Sequence, residues 1–175
     1  MDALMVIDVQ QGMFAFPDSP PYEGEAVVER IRLLIENARR QGRPVFFVQH
    51  DGGPSDVLAQ DAPGFAFHPA LTPHPGDHVT VKRHCNAFQE TALASQLQAA
   101  GISHLTVCGM QSEYCVDTTV RAAFERGYKI TLVSDAHTTY DNPALKAHEI
   151  IAHHNRTLEG SFVTLTPAEA VRFDA

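Results

Sequence analysis

The sequence predicts a three-layer α/β/α sandwich in which helices cover both faces of a mostly parallel, six-stranded sheet. Two sets of segments lead to this prediction. Short apolar runs typical of strands occur at residues 3–9, 44–50, 78–82, 104–109, 129–134 and 161–165. Segments with apolar residues at helical spacing alternate with them, at residues 25–41, 89–100, 113–126 and 144–158. Such alternation is typical of a parallel sheet packed between helices.

Individual segments support the assignment. The first run, ALMVIDV at residues 3–9, is continuous and apolar, as expected for a strand that is buried on both faces. The helix at residues 25–41 ends at Gly42. Its apolar face consists of Val27, Ile31, Leu34, Ile35 and Ala38. Residues 51–77 are rich in Gly, Pro and Asp and lack a period, which predicts a long loop of the kind that often carries function.

Two helices are expected to begin at capping residues. With Ser112 as the N-cap of the helix at residues 113–126, Cys115 is the third helical residue and lies in the first turn. Near the C-terminus, Thr166 is expected to cap a short helix that begins at Pro167.

Composition bounds the class of protein. The 175 residues suffice for one domain with a substantial core, so we expect a single domain over residues 1–175. A content of 44% apolar and 19% charged residues is typical of a soluble globular protein. The net charge is −8 and there is no basic stretch, which argues against a nucleic-acid partner.

Membrane and secretion signals are also missing from the sequence. No apolar run approaches the ~20 residues that span a bilayer, and the N-terminal segment lacks the basic region of a signal peptide. An odd number of cysteines, three, argues against a disulfide framework. We therefore expect a cytoplasmic protein with no membrane partner.

Three chemically capable residues are expected at one edge of the sheet, where ligands of such folds bind beyond the carboxyl ends of the strands. Asp8 ends the first strand, Lys82 ends the third, and Cys115 follows the fourth. No glycine-rich phosphate loop follows the first strand, which argues against a nucleotide site of the usual kinds.

Whether the Cys115 thiol is ionised depends on the free energy available to lower its pKa. A free thiol has a pKa near ~8.5, and shifting it down by ~2 units requires about 2.7 kcal/mol. A helix N-terminus typically supplies ~0.3–1 kcal/mol, so a cation must provide the remainder. Lys82 is the candidate cation, and Asp8 is the candidate that holds the lysine and takes the thiol proton.

Each of these residues also has a structural explanation. A cysteine at a helix start is more often structural than catalytic, and a lysine at a strand end is usually a solvated charge. Asp8 is harder to explain in this way, because a carboxylate in an apolar strand is costly to bury unless it is paired. The common location of the three residues favours a site.

Three ordered blocks resemble the isochorismatase-like cysteine hydrolases, a superfamily that includes nicotinamidases and N-carbamoylsarcosine amidohydrolase. The blocks are ALMVIDVQQGMF, HPALTPHPGDHVTVKRHCNAF and GMQSEYCVDTTVRAAFERGYKITLVSDAHTT. The resemblance covers nearly the whole chain. It implies the α/β/α fold predicted above, a homo-oligomer (a dimer or a tetramer), a small-molecule substrate and no cofactor.

The resemblance also implies a mechanism. Cys115 would attack a carbonyl to form a thioester, Asp8 would shuttle its proton, and Lys82 would stabilise the thiolate and keep Asp8 ionised. A cis peptide bond is implied between Met110 and Gln111, with the backbone N–H groups of Gln111 and Cys115 forming an oxyanion hole. True isochorismatases of this family lack the cysteine, so Cys115 favours cleavage of a small amide or carbamoyl compound.

Two departures from the family pattern bear on the pocket. Nicotinamidases carry an Asp-x-His metal pair after the second strand, whereas this sequence has QHDG, so we expect no catalytic metal. Asn86-Ala87-Phe88 follows the lysine in place of Ser-Ala-Phe. The side chains expected to line the substrate pocket are Phe14, His50, Asn86 and Phe88.

Three alternatives come from other classes of protein. One is hydrolysis of a vinyl ether, as in true isochorismatases, which the thiol argues against. A second is a non-catalytic binding protein that retains the fold. A third is a thiol-redox protein that pairs Cys115 with Cys85 or Cys108, against which the lack of a Cys-x-x-Cys motif argues.

Overall fold

The computed structural model describes residues 1–173 and contains a six-stranded sheet whose strand pairs are all parallel. The strands are β1 (Asp2–Ile7), β2 (Val45–His50), β3 (His78–Lys82), β4 (His104–Met110), β5 (Lys129–Thr138) and β6 (Thr164–Thr166). Their order across the sheet is β3-β2-β1-β4-β5-β6. The predicted fold class is therefore confirmed, since each predicted strand has a counterpart.

Four α-helices form the outer layers of the sandwich. They are α1 (Gly24–Arg40), α2 (Leu93–Ala99), α3 (Asp117–Glu125) and α4 (Ala147–Leu158). Within residues 1–173, no helix is both long and apolar enough to cross a membrane.

The two faces of β1 show why its sequence is apolar throughout. Leu4 and Val6 pack in one core cluster with the apolar face of α1, whereas Met5 and Ile7 pack in the other cluster with residues of α2 and α3. All six residues of β1 are buried. Alternate side chains thus supply two cores, as a central strand between two helical layers requires.

The expectation that Thr166 caps a short helix near the C-terminus is wrong. Thr166 lies in β6, and within residues 1–173 Pro167 is followed by the three-residue 3₁₀ turn Ala168–Ala170 and no longer helix. The N–H of Ala168 donates to Oδ1 of Asp135 at 2.8 Å. The side chain of Asp135, a residue within β5, therefore performs the capping role that we expected of Thr166, and local spacing could not reveal this.

The order of the strands places the site. Strands β1 and β4 lie side by side, while the chain moves outward from β1 in one direction through β2 and β3, and from β4 in the other through β5 and β6. At such a switch point the loops leave in opposite directions and open a crevice at the carboxyl ends of the strands. The residues that follow β1 and β4 border this crevice.

Gly109 in β4 is packed against β1 and has a φ of +127°. A Cβ at this position would collide with the carbonyl oxygen of Ile7 and would lie 2.7 Å from its nitrogen. Only a glycine allows β4 to approach β1 this closely in this conformation.

We expect Gly109→Ala to destabilise the protein by ~3 kcal/mol or more, because both the backbone conformation and the backbone contact forbid a side chain. Gly127→Ala is the matched control, since Gly127 has a φ of +86° and no atom within 4 Å of an added Cβ. It is expected to cost ~1 kcal/mol. Urea unfolding of the two variants and the wild type measures both effects, and equal losses would contradict the role of the Ile7 contact.

Candidate active site

Asp8 is the first residue beyond β1 and turns sharply into the crevice. Its φ is +52°, an uncommon conformation for a residue other than glycine, while its N–H still donates to the carbonyl oxygen of Val48 at 2.9 Å. The residue is 2% exposed. The sheet therefore fixes the backbone of a buried carboxylate at the switch point.

Lys82, the last residue of β3, brings its ammonium to this carboxylate. The side chain is fully buried, and Nζ lies 2.7 Å from Oδ2 of Asp8. Nζ also donates to Sγ of Cys115 at 3.2 Å. The structure thus brings together the three residues that the sequence analysis grouped from their positions at the strand ends.

Cys115 lies in a π-helical turn, Ser112–Val116, that joins β4 to α3. The N–H of Val116 donates to the carbonyl oxygen of Gln111 at 3.1 Å, which closes the wide turn. The expectation that Ser112 is the N-cap is wrong, because Ser112 lies inside this turn. The expected cis peptide bond between Met110 and Gln111 is confirmed.

A buried histidine explains why Ser112 does not cap the helix. Oγ of Ser112 is 2.7 Å from Nδ1 of His137, and Nε2 of His137 is 2.8 Å from Oδ1 of Asn155. Asn155 in turn donates its Nδ2 hydrogen to the carbonyl oxygen of Ser134. Side chains from β5 and α4 thereby support the turn that carries Cys115.

A cleft of about 230 Å³ opens beside the cluster. The residues that line it are Asp8, Met13, His50, Leu58, Cys85, Gln111, Tyr114 and Cys115. His50 is thus where the sequence analysis expected it. Met13, Leu58, Cys85 and Tyr114 were not foreseen as lining residues, because nothing in the spacing of a loop or a turn shows which way their side chains point.

Three of the residues expected to line the substrate pocket make other contacts in the structure. Phe88 packs in a core cluster, stacked on Tyr128. Oδ1 of Asn86 accepts the N–H of Phe88 at 2.9 Å, so it stabilises a turn. Phe14 makes an edge contact with the ring of His68. None of the three is among the residues that line the cleft.

The side chain of Gln111 is oriented by a short chain of hydrogen bonds. Oε1 of Glu113 accepts the hydroxyl of Thr139 at 2.7 Å. The same hydroxyl oxygen accepts Nε2–H of Gln111 at 3.1 Å. Because the carboxylate can only accept, the direction of both bonds is set, and Gln111 keeps its amide nitrogen on Thr139.

Burial dominates the charge states of the cluster. It raises the pKa of the Cys115 thiol, and the nearby Asp8 carboxylate raises that pKa further, while Lys82 lowers it by less. From the sequence we expected a net shift below the pKa of a free thiol. Lys82 does lower the pKa, but burial and Asp8 outweigh it, so the net shift is upward. Desolvation is the missing influence, and its size depends on a burial that the sequence does not give.

The two partners of the thiol are shifted in ways that suit proton transfer. Burial raises the pKa of Asp8, and the Lys82 ammonium opposes that change. Burial lowers the pKa of Lys82, but the charges of Asp8 and Cys115 outweigh it and the net shift is upward. The cluster therefore holds a cationic lysine, and the affinity of the carboxylate for a proton is increased.

The cluster contains residue types that bind metals. One side-chain atom each of Asp8, His50 and Cys115 lies within 4.8 Å of the others. Such a set suits Zn²⁺ by ligand type. However, Nζ of Lys82 is within 2.7–3.2 Å of all three side chains, so an ammonium already holds the position a cation would need. Repulsion between the two charges makes these residues a poor metal site.

The fold and the site define a class: a three-layer α/β/α domain with a buried thiol, ammonium and carboxylate at the switch point of its sheet. Within that class the chain belongs to the isochorismatase family, because the family model for the isochorismatase domain matches residues 2–166.

Similar proteins carry related names. Streptothricin hydrolase from Streptomyces noursei is 41% identical over 144 residues, which are 82% of this chain and 52% of that protein. The chain thus spans about half the length of that relative. Ureidoacrylate amidohydrolase RutB from Methylobacterium radiotolerans is 30% identical over 169 residues, 76% of this chain and 65% of that protein. A crystal structure of an isochorismatase from Pseudomonas putida KT2440 superposes with a TM-score of 0.93 at 32% identity, over 98% of this chain and 90% of that one.

The raised pKa of the thiol gives a direct test. We expect alkylation of Cys115 by iodoacetamide to have its midpoint above the ~8.5 of a free thiol. Asp8→Asn should lower the midpoint, because it removes the neighbouring negative charge, and Lys82→Met should raise it. Peptide mass spectrometry separates Cys115 from Cys85 and Cys108. The urea-unfolded protein is the control, and a folded midpoint below ~8.5 would contradict the charge arrangement.

His137 makes the stability depend on pH. Burial lowers its pKa to about 4 from an ordinary 6.5, so as the pH falls the unfolded chain takes up the proton first. The free energy of unfolding should therefore decrease between pH 6.5 and 4, by about 3 kcal/mol in total from this residue. Urea unfolding across this range should show a shallower dependence in His137→Gln. His153→Gln, at an exposed histidine of α4, is the matched control and should keep the wild-type slope.

Proposed function

We propose that the protein is a cysteine hydrolase that cleaves the C–N bond of a small amide or carbamoyl compound through a thioester on Cys115. The observation that carries the proposal is the buried contact of one ammonium, on Lys82, with both a thiol at 3.2 Å and a carboxylate at 2.7 Å beside an open cleft. This combines a nucleophile, a base and a group that orients the base.

In the first step the thiol proton moves to Asp8 as Sγ of Cys115 attacks the substrate carbonyl. Asp8 suits this role because it is buried close to the thiol and because burial increases its affinity for a proton. The proton transfer and the attack belong to one step, since burial disfavours a free thiolate. Lys82 remains charged throughout and stabilises the sulfur as it becomes negative.

The negative charge then forms on the carbonyl oxygen of the substrate. The proposed donors are the backbone N–H groups of Gln111 and Cys115, as the family resemblance implies. A preorganised donor of this kind is worth ~2.7–4 kcal/mol in a transition state. When the C–N bond breaks, the proton on Asp8 passes to the leaving nitrogen, and the acyl group stays on Cys115 as a thioester.

Water completes the cycle. Asp8, again a carboxylate, takes a proton from a water molecule that attacks the thioester, and the proton returns to Sγ as the thiol leaves. The products are a carboxylic or carbamic acid and an amine or ammonia. The carboxylate therefore acts alternately as base and acid, which is why its pKa matters in both half-reactions.

The cleft bounds the size of the group that reaches Cys115. Its volume of about 230 Å³ lies below the ~300–1,000 Å³ of most ligand pockets, which favours a small substrate or the small end of a larger one. The names streptothricin hydrolase and ureidoacrylate amidohydrolase support hydrolysis and, in the second case, an amide. Because the chain spans about half of streptothricin hydrolase, we do not infer that it acts on the same substrate.

A second candidate is the hydrolysis of a vinyl ether, which the description of the similar Pseudomonas putida structure as an isochorismatase favours. That reaction has no carbonyl carbon for a thiol to attack. The contact of Lys82 with Cys115 favours the amide reaction instead. A homo-oligomer, a dimer or a tetramer, and a cytoplasmic location complete the proposal, and both rest on the family resemblance and the composition.

The central test is the covalent intermediate. Small primary amides and carbamoyl compounds are screened for turnover, and the reaction is quenched in acid for intact-mass and peptide analysis. We expect an acyl adduct on Cys115 in the wild type and none in Cys115→Ala. Turnover of an amide without an adduct under single-turnover conditions would contradict the thioester route.

Asp8→Asn should lower kcat by ~10²–10⁴, the usual contribution of a positioned acid–base group. The loss arises because the amide cannot take the thiol proton. Cys85→Ser is the matched control, because this thiol lines the same cleft without contacting Lys82 in the described structure, and it should retain most of the activity. Wild-type kcat in Asp8→Asn would exclude Asp8 as the base.

A further inference from the structure

The Lys82 ammonium has a third partner besides the thiol and the carboxylate. Nδ1 of His50, the last residue of β2, lies 3.1 Å from Nζ. The three distances, 2.7 Å to Asp8, 3.1 Å to His50 and 3.2 Å to Cys115, match one acceptor for each hydrogen of an ammonium. The histidine therefore supplies the third acceptor of a buried cation.

The contact sets the protonation of the imidazole. An ammonium has no lone pair, so Nδ1 of His50 must be the acceptor and carries no hydrogen. In a neutral ring the hydrogen then lies on Nε2. Burial and the charge of Lys82 both lower the pKa of His50, which keeps the ring neutral. The tautomer of His50 follows from the lysine alone.

The backbone of His50 is also fixed by hydrogen bonds. Oε1 of Gln10 accepts the N–H of His50 at 2.8 Å, and Nε2 of Gln10 donates to the carbonyl oxygen of His50 at 3.0 Å. Gln10 is fully buried and also donates to the carbonyl oxygen of Phe65 at 2.9 Å. A single amide thus joins the end of β2 to the loop beyond β1 and fixes the backbone that carries the imidazole.

His50 lines the cleft and is half-buried. With Nδ1 committed to Lys82, the polar atom that His50 offers to a ligand is Nε2–H, a fixed donor. We propose that His50 positions Lys82 through Nδ1 and orients the substrate through Nε2–H, so that the preferred substrates carry a hydrogen-bond acceptor, a carbonyl or carboxylate oxygen, next to the amide that is cleaved. The substrate part of this inference rests on the proposed function.

The arrangement also makes the site sensitive to acid. The charged groups that face His50 are Lys82, Asp8, Asp51 and Asp56, of which the three carboxylates favour the protonated ring and the lysine opposes it. Protonation of His50 would place two cations 3.1 Å apart and remove an acceptor from the ammonium. The substrate-binding geometry is therefore intact above the pKa of His50 and is lost as the pH falls through it, at a pH below the ordinary 6.5.

The first experiment examines the free protein. Long-range proton–nitrogen NMR spectra of histidine-labelled protein report the tautomer of each ring, and His50→Gln assigns the His50 signals by their loss. We expect a neutral ring with its hydrogen on Nε2 at pH 7 and a titration below pH 6.5. A hydrogen on Nδ1, or a ring that is charged at pH 7, would overturn the inference. Lys82→Met should allow the other tautomer to appear.

The second experiment uses kinetics on a matched pair of amides, one with an acceptor oxygen beside the scissile group and one with a methylene in its place. In the wild type we expect a higher kcat/KM for the first amide. His50→Leu should lose this preference and ~10-fold or more in kcat/KM for that amide, because both hydrogen bonds are removed. His50→Gln can accept from Lys82 and donate to the substrate, so it should recover part of both.

The pH profile distinguishes positioning from a purely structural role. The acid limb of kcat/KM should move in His50→Gln, because glutamine does not titrate. His84→Leu changes a histidine outside the lining residues of the cleft and should keep the wild-type limb. An unchanged limb in His50→Gln, or an unchanged substrate preference in His50→Leu, would overturn the inference.

The two proposals fail in different ways. If no amide acylates Cys115, the proposed reaction is wrong, and the NMR measurement still decides whether Lys82 sets the tautomer of His50. If Cys115 is acylated but His50→Leu keeps the wild-type preference, the reaction stands and His50 has no part in choosing the substrate. Urea unfolding of each variant verifies that the compared proteins are folded.

Discussion

The burial of one ammonium group organises the site. A lysine charge removed from water is tolerated only if its hydrogens meet acceptors and its charge meets a counter-charge. Lys82 meets both requirements through Asp8, His50 and Cys115. Asp8 follows β1, His50 ends β2, and Cys115 lies in the turn after β4. An edge strand, β3, carries the charge, and the ends of β1, β2 and β4 supply its partners. Asp8 supplies the counter-charge, while His50 and Cys115 supply acceptors for the remaining hydrogens of the ammonium.

Much of this arrangement could be predicted from the sequence because strands and their ends have a simple signature. A continuous apolar run such as residues 3–9 indicates a strand buried on both faces, and a polar residue at its carboxyl end is placed at the ligand edge by topology alone. Asp8 satisfied that description, Lys82 ended another strand, and Cys115 followed a third. The family resemblance added the cis peptide bond before Gln111, which no local pattern indicates.

What could not be predicted depended on three-dimensional packing. Spacing does not show which way Phe88 points, and its ring joins the core instead of the cleft. Ser112 matched a capping position, but a buried His137 from β5 takes its hydroxyl. The direction of the thiol pKa was also missed, because desolvation depends on how much protein surrounds Cys115. The role of Gln10 could not be predicted either, because it depends on hydrogen bonds to the backbone N–H and C=O of His50, which is distant in sequence.

The central position of β1 has a consequence for how the molecule is made. Among the six strands it comes first in the sequence, yet its two neighbours are β2 and β4, and Ile7 pairs with Gly109 only after β4 has been made. Until then β1 has an open edge and two apolar faces, the type of segment that pairs with other chains. Contacts this distant in sequence also slow the search for the native topology. Nascent chains that end before β4 are therefore the forms of this protein that depend most on chaperones.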